Sequence, residues 1–559
     1  MKLRWNLRVK WVAVLVTIVL LWTVLYPNLF VLRDSLTSAG AFTLEHYQRF
    51  ADSRSELNAL WNSVWISLAS VVLSGLIGVP LAFFFARYDF AARRWLAALC
   101  ALPVLLPPLV GVISFLFLYG ETGFFTRGLQ TLLGLERAPW RLNGAGAVLF
   151  VHAYTMYVYF FMFTSAALTR LDPAVLEASA ALGASRRRTM LRVTLPMLLP
   201  AIGGAALLVF MTSMGSFSAP YVFGGGFRVL TTQIFASKLN GDLPIAAVET
   251  VILAAVSIVF LWMLQRYEGN RSYTGASKGS ARLEPRHAAT PARRALLTLL
   301  ASLIVLLLIL PHLTVLLVSF VPEGSWTTEI IPPEYSGANY RLIFGDPEAM
   351  RPILNSLAMS TWATVANIVF ALAAAYILAR RKVRARWLIN SLVILPWALP
   401  GTVLAMALAS TFSVNAWWTG RFVLVGTAAI LPLAYFIRNI PLVTRSTLAS
   451  FQQIDPALEE ASASLGGSWW TTWRRVLIPL VLPGLAAGAL LAFVTALGEF
   501  VASILLYTHR TRPISIEILA QLRAYNFGAA SAYAVLLIVL MAAVFAYGQR
   551  AISEERSGI

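Results

Sequence analysis

Residues 172–200 read DPAVLEASAALGASRRRTMLRVTLPMLLP, and residues 455–483 read DPALEEASASLGGSWWTTWRRVLIPLVLP. The two stretches align without a gap, each residue 283 positions after its counterpart. Asp172/Asp455, Pro173/Pro456, Glu177/Glu460, Ala178/Ala461, Ser179/Ser462, Leu182/Leu465, Gly183/Gly466, Arg192/Arg475, Pro196/Pro479 and Pro200/Pro483 are identical pairs. Such a duplication constrains the fold more than any local propensity, because whatever the first half builds the second must build again. The repeat also runs upstream. Asn62-Ser63 through Arg87 matches Asn355-Ser356 through Arg380 at an offset of 293, as do Tyr47/Tyr340 and Leu102-Pro103/Leu395-Pro396. The drop in offset from 293 to 283 places about ten extra residues in the first half, around 120–142.

The repeated unit is apolar. The chain of 559 residues is 58% hydrophobic and only 12% charged, where a soluble domain carries roughly 25% charged residues. It is therefore read as an all-α polytopic membrane protein. A bilayer core takes about 20 apolar residues per helix. That length predicts spans near 11–32, 62–86, 95–119, 143–168, 195–223 and 244–265, then 295–320, 354–379, 387–412, 422–446, 478–506 and 526–548. Six spans per repeat, about twelve in all, give both halves one orientation and relate them by a pseudo-two-fold axis along the membrane normal. Lys2, Arg4, Arg8 and Lys10 precede the first span as in a signal peptide. Its apolar run is too long for one, and no small-x-small site follows Tyr26-Pro27, so a retained helix is expected.

The net charge of +19 would suggest nucleic acid in a soluble protein. Its distribution says otherwise. With the amino terminus inside, cytoplasmic segments hold 29 basic and 10 acidic residues, and external segments 14 and 13. This is the positive-inside bias; it places both termini in the cytoplasm and implies no nucleic-acid partner. Residues 268–294 are polar and rich in Gly, Ser, Pro and Arg, and read as a cytoplasmic linker between a first domain, 1–267, and a second, 295–559.

Each signature copy falls on the cytoplasmic side, between the fourth and fifth helices of its half. Asp172-Pro173 and Asp455-Pro456 supply an N-cap and a Pro at the first helical position, so a short helix starts there. Gly183 and Gly466 then suit a sharp turn. A polar segment follows and re-enters the membrane at Leu195-Pro196 or Ile478-Pro479. The spacing Glu177-Ala178…Gly183…Leu195-Pro196, repeated as Glu460-Ala461…Gly466…Ile478-Pro479, resembles the "EAA" signature of bacterial ABC-importer permeases. The resemblance covers nearly the whole chain and implies two tandem type I permease domains fused in one polypeptide.

Such fused pairs look most like the ferric-iron and thiamine importer permeases of bacterial inner membranes, whose relatives carry polyamines, phosphonates, sulfate or molybdate. Ferric iron is the first expectation among them. The resemblance further implies two copies of an ATPase subunit at the cytoplasmic face, an external solute-binding protein, and alternating access between the two sides. Docking to the ATPase is carried over to Glu177, Ala178, Gly183, Glu460, Ala461 and Gly466. The family's usual second Ala is Ser179 and Ser462 here.

The chain has no chemistry of its own to set beside this. No G-x-x-x-x-G-K-[ST] occurs, and GASKGS at 275–280 has the wrong spacing. The five histidines, His46, His152, His287, His312 and His509, are scattered, so no metal cluster, cofactor or catalytic group is expected. The single Cys100 lies in an apolar run and can form no disulfide within the chain. Three charges fall well within spans, Glu249, Arg438 and Glu499; Arg445, at the cytoplasmic edge of 422–446, is counted with the loops. An ion-driven secondary transporter would need charged relays in several helices and has no use for the docking segments.

Charges in hydrocarbon are functional candidates. Glu499 is expected on the second half's fifth helix, where the first half has Ser216; Arg438 takes the position of Thr155. The carboxylate has three possible uses: meeting a cation, holding an outer gate, or pairing with a neighbouring helix. Pro103, Pro107-Pro108, Pro396 and Pro400-Gly401 interrupt the third helices and fit either a cavity lining or simple kinks. For topology, a Ser277→Cys variant in intact cells should resist an impermeant thiol reagent, and labelling there would invert the assigned sidedness.

Overall fold

A computed structural model describes residues 2–269, 290–326, 329–380, 386–415 and 423–557. The linker from 270 to 289, Ser277 included, lies outside them. In the first half the helices are α1 (Lys10–Ser35), α2 (Arg54–Arg87), α3 (Arg93–Ala101), α4 (Pro108–Tyr119), α5 (Gly144–Leu168), α6 (Pro173–Ala181), α7 (Arg186–Met214), α8 (Ser218–Phe223), α9 (Leu230–Leu239) and α10 (Leu243–Gly269). The second half repeats them in order as α11 (Pro291–Val318), α12 (Pro347–Arg380), α13 (Arg386–Ala398), α14 (Gly401–Phe412), α15 (Ile430–Gln453), α16 (Ala457–Ser464), α17 (Trp469–Leu497), α18 (Val501–Leu506), α19 (Ile514–Arg523) and α20 (Phe527–Ser557). Among the described residues the sole sheet is a hairpin pairing Thr37 with Phe42 and Ser38 with Ala41.

Among the described residues ten helices are long and apolar enough to span a bilayer, one of them Pro108–Leu132, in which the helix Phe124–Leu132 continues α4; the pair α13–α14, bent by 109°, makes eleven if it counts as one span. α15, at 24 residues, is long enough but carries Arg438, Asn439 and Arg445 and is not one of the ten. Four expected spans are broken, 387–412 among them at the α13–α14 bend. The run expected as 95–119 divides into α3, a tight turn at Leu102–Leu105, and α4. Pro107, Pro108 and Pro400 explain the breaks in the third helices: proline donates no hydrogen bond and forces the preceding residue out of the helical region. The runs expected as 195–223 and 478–506 end early, at Met214 and Leu497.

Helix pairing follows the small residues. On α2, Ser63, Ser67, Ser70, Ser74, Gly78 and Ala82 are buried on one face, toward α5. On α12 the same positions are Ser356, Ser360, Ala363, Asn367, Ala371 and Ala375, buried toward α15. Lipid supplies no hydrophobic drive between helices, so association rests on close backbone approach and side-chain hydrogen bonds. Asn367 supplies one such bond, donating to the Phe436 carbonyl at 3.1 Å.

The first helix of each half crosses to the other half. α1 lies against α12 and α13, and its end against α14, while α11 lies against α3 and α4. Val16, Leu20 and Val24 thus belong to the second half's core, and Ala301, Val305 and Leu308 to the first half's. The Tyr154 hydroxyl on α5 donates to the Leu307 carbonyl on α11.

A methyl group on Gly78 would sit 2.4 Å from the Tyr157 carbonyl oxygen, whereas one on Gly203 meets nothing. Gly78→Ala should therefore cost about 1–3 kcal/mol through overpacking. Thermal melting of the purified protein should show a lowered Tm for Gly78→Ala and little change for Gly203→Ala.

Candidate functional site

The two signature segments fold into matching hairpins. Asp172 Oδ1 accepts the Ala174 N–H at 2.9 Å, and Asp455 Oδ1 accepts that of Ala457 at the same distance. These caps start α6 and α16, which hold no fully buried residue. Gly183 and Gly466 end them at φ +73° and +79°, with open space where a Cβ would stand. The requirement there is backbone conformation rather than room. The turns are closed by Ala184 N–H to Ser179 O at 3.1 Å and Gly467 N–H to Ser462 O at 2.9 Å, the Schellman arrangement that satisfies terminal carbonyls.

Ser185 and Ser468 cap the next arm, which passes through a wide π-turn at Met190–Thr194 or Trp473–Leu477 into the rest of α7 or α17. Glu177, Ala178, Gly183, Glu460, Ala461 and Gly466 are all exposed. Leu182 and Leu465 stand 87% and 89% exposed at the hairpin tips. An apolar side chain presented in this way twice, at equivalent positions, suits a protein partner.

Sequence reading did not find what holds the arms together. Ser179 Oγ lies 2.9 Å from Thr189 Oγ1, and Ser462 Oγ lies 2.8 Å from Thr472 Oγ1. The departure from the family's second Ala therefore has a structural use, and its signal was a hydroxyl pair ten residues apart in both copies.

At their far ends α7 and α17 stop in equivalent three-residue breaks, Gly215-Ser216-Phe217 and Gly498-Glu499-Phe500. The breaks meet: the Phe217 and Phe500 rings are 5.9 Å apart and both are buried. Each break also abuts the proline break of the other half. A Cβ on Gly215 would lie 3.5 Å from Pro400, and one on Gly498 would lie 3.3 Å from Pro107. The freed carbonyls are satisfied from the following helices, Thr231 Oγ1 donating to Ser216 O at 2.7 Å and Ser515 Oγ to Glu499 O at 2.8 Å. Lys238 on α9 donates to the Leu505 carbonyl of the other half, and burial pushes its ammonium down to about 8.

Side chains on this symmetric frame differ between the halves. Glu499 lies in the break, not on the fifth helix as expected, because the helix ends at Leu497. Its Oε2 meets Arg438 Nε at 2.8 Å, and its Oε1 accepts the Ala502 N–H at 3.0 Å, capping α18. Of the three uses open to the carboxylate, this structure displays the helix-pairing one. Gly401 makes room for the guanidinium: a Cβ there would fall 2.7 Å from Arg438 Nη1. In the first half Ser216 Oγ lies 2.9 Å from His152 Nε2, while His152 Nδ1 reaches Ser70 and Ser213 at 2.9 and 3.2 Å. Thr155 instead bonds back to Val151 O. His152 was passed over as one of five scattered histidines; its signal was its place three residues before the Thr155/Arg438 position.

The family model described as "Binding-protein-dependent transport system inner membrane component" matches twice, over residues 74–271 and 367–556. The chain belongs to that family. As a permease it is similar over its whole length to a probable ABC transporter permease, y4fN, of Sinorhizobium fredii: 30% identical over 90% of this chain and 89% of the relative. The ferric transport system permease FbpB of Actinobacillus pleuropneumoniae is 26% identical over 96% of this chain and 77% of its own. The Escherichia coli sulfate permease CysT is 32% identical over 37% of this chain and 77% of its own. A solved bacterial ABC transporter for alginate import aligns with 47% of this permease and 96% of its own chain, at 20% identity and a TM-score of 0.39.

The permease thus has the fold of two tandem repeats, and is a membrane subunit of an ATP-driven importer. Glu499 is 6% exposed and Arg438 31%, so removing the carboxylate charge leaves a partly buried guanidinium uncompensated. Glu499→Gln should therefore lower transport about tenfold at an unchanged level of permease in the membrane. Uptake at the wild-type rate, with equal protein in the membrane, would leave the Arg438 pair a purely structural contact.

Proposed function

We propose that this permease passes ferric iron inward across a bacterial cytoplasmic membrane, receiving it from an external binding protein. The supporting observation is coverage. The ferric transport permeases align with both halves, 87% to 96% of the chain, whereas the sulfate permeases align with 35% to 37%. A second reading, an oxyanion such as sulfate, draws on those half-length likenesses and on Arg438, which keeps 31% of its side chain exposed beside the breaks.

In this reading both termini and both hairpins are cytoplasmic. Two copies of an ATPase subunit each receive one hairpin, at Glu177, Ala178 and Gly183 or at Glu460, Ala461 and Gly466. ATP binding closes the ATPases and drives the hairpins together. α7 and α17 carry that motion to the breaks, where the Phe217–Phe500 contact and the Arg438–Glu499 pair part to admit substrate. Ser216, with His152, forms the first half's side of this gate. The permease itself supplies shape and movement, and hydrolysis occurs on the partner.

The test is uptake by vesicles containing the permease, its ATPase and the iron-loaded binding protein. ATP-dependent entry of iron is expected; entry of sulfate in its place would overturn the ferric reading. A Gly183→Val/Gly466→Val variant serves as the coupling control. Each left-handed position costs a β-branched residue about 1–2 kcal/mol, so the ATPase should co-purify poorly while the permease still inserts. Undiminished ATPase retention and uptake would overturn the docking assignment.

A further inference from the structure

The two hairpins are not attached to the membrane domain alike. Glu459, beside the exposed Glu460, turns inward from α16: its Oε1 lies 3.1 Å from Arg380 Nε, with the two side chains only 13% and 9% exposed. Arg380 is the last residue of α12. Its Nη2 also donates to the Ile454 carbonyl at 2.5 Å, and the Tyr376 hydroxyl, one turn back, donates to Glu459 Oε2 at 3.1 Å. Rings close over this cluster, Trp473 lying 4.9 Å from Tyr376 and 5.6 Å from Trp469.

The first half retains the arginine, as Arg87, but has Leu176 for Glu459, Phe83 for Tyr376, Arg186 for Trp469 and Met190 for Trp473. No carboxylate, hydroxyl or ring cluster stands at those positions. What ties its hairpin arms is the Ser179–Thr189 bond, which the second half has as well.

We propose that Arg380 and Glu459 form a strut that makes the second hairpin the principal transmission point between the ATPases and the gate. The proposal rests on the docking reading above. An ion pair largely out of water, with each member held by one further hydrogen bond and rings packed beside Tyr376, leaves little freedom between α16 and α12. Displacement of α16 is then shared by α17 and by α12, whose small-residue face also bears on α15, the helix that carries Arg438. Displacement of α6 has no such second route through these positions. Arg380 and Glu459 are positioning residues, since both act through other helices. The inference also gives adjacent carboxylates separate tasks, Glu459 inward to the strut and Glu460 outward to the partner.

The experiment measures iron moved per ATP hydrolysed in vesicles containing permease, ATPase and iron-loaded binding protein. Glu459→Gln keeps the side chain's size and leaves Arg380 without its counter-charge. It should retain the ATPase and its hydrolysis yet lower the transported-to-hydrolysed ratio about tenfold. Arg87→Gln, at the equivalent place in the first half, should leave that ratio within about twofold. Should Glu459→Gln not assemble, Arg380→Met/Glu459→Leu replaces the pair with apolar side chains, a change that buried ion pairs often tolerate; the same fall in ratio is expected. An unchanged ratio in either strut variant, or an equal fall in Arg87→Gln, would overturn the proposal. So would loss of the ATPase from Glu459→Gln alone, which would make Glu459 a docking residue. Failure of the docking reading itself shows differently, as wild-type permease that does not retain the ATPase.

Discussion

Two helices end inside this protein, and buried backbone at a helix end must find partners within the protein when no water is at hand. At Ser216 and Glu499 the carbonyls find hydroxyls, from Thr231 in one half and from Ser503 and Ser515 in the other. That requirement ties α9 back to the break that follows α7, and α18 and α19 to the break that follows α17. It also explains why both breaks sit at the centre of the molecule, where each reaches the proline break of the opposite half.

The same two helices begin at the signature hairpins. α7 and α17 are 29 residues each, or about 43 Å at 1.5 Å per residue, with a glycine turn just before one end and a glycine break at the other. Each is interrupted near its start by a π-turn, a feature that concentrates where helices do mechanical or chemical work. In the proposed function, this connection between two glycine hinges is what carries displacement from the ATPase to the gate.

Fusion allows the copies to diverge while the frame stays common. The Thr231 and Ser515 bonds, the glycine–proline contacts, and the bonds from Leu230 and Ile514 N–H to Ser63 and Ser356 are kept in both halves. The groups attached to that frame differ. One half holds its break through hydrogen bonds between His152 and Ser216, the other through the ion pair of Arg438 and Glu499. The charged pair binds more strongly in a low-dielectric setting and suffers more when one partner is lost. The hairpins diverge in the same sense, with aromatic rings and an ion pair on the second and arginines on the first.

The sequence by itself determined the duplication, the membrane class, the family signature and the turn chemistry of the hairpins. These are one-dimensional signals: an offset, a hydrophobic run, an Asp-Pro start, a glycine in a turn. It did not determine where the fifth helices stop, because Gly498-Glu499-Phe500 interrupts an apolar run that resumes directly after it, and only tertiary partners make a break tolerable. Nor did it pair Glu499 with Arg438, His152 with Ser216 or Glu459 with Arg380, since each pair joins elements 61 to 79 positions apart. The crossing of α1 and α11 into opposite halves was equally hidden. An apolar helix carries no mark of which apolar neighbour it will meet, and packing alone made that choice.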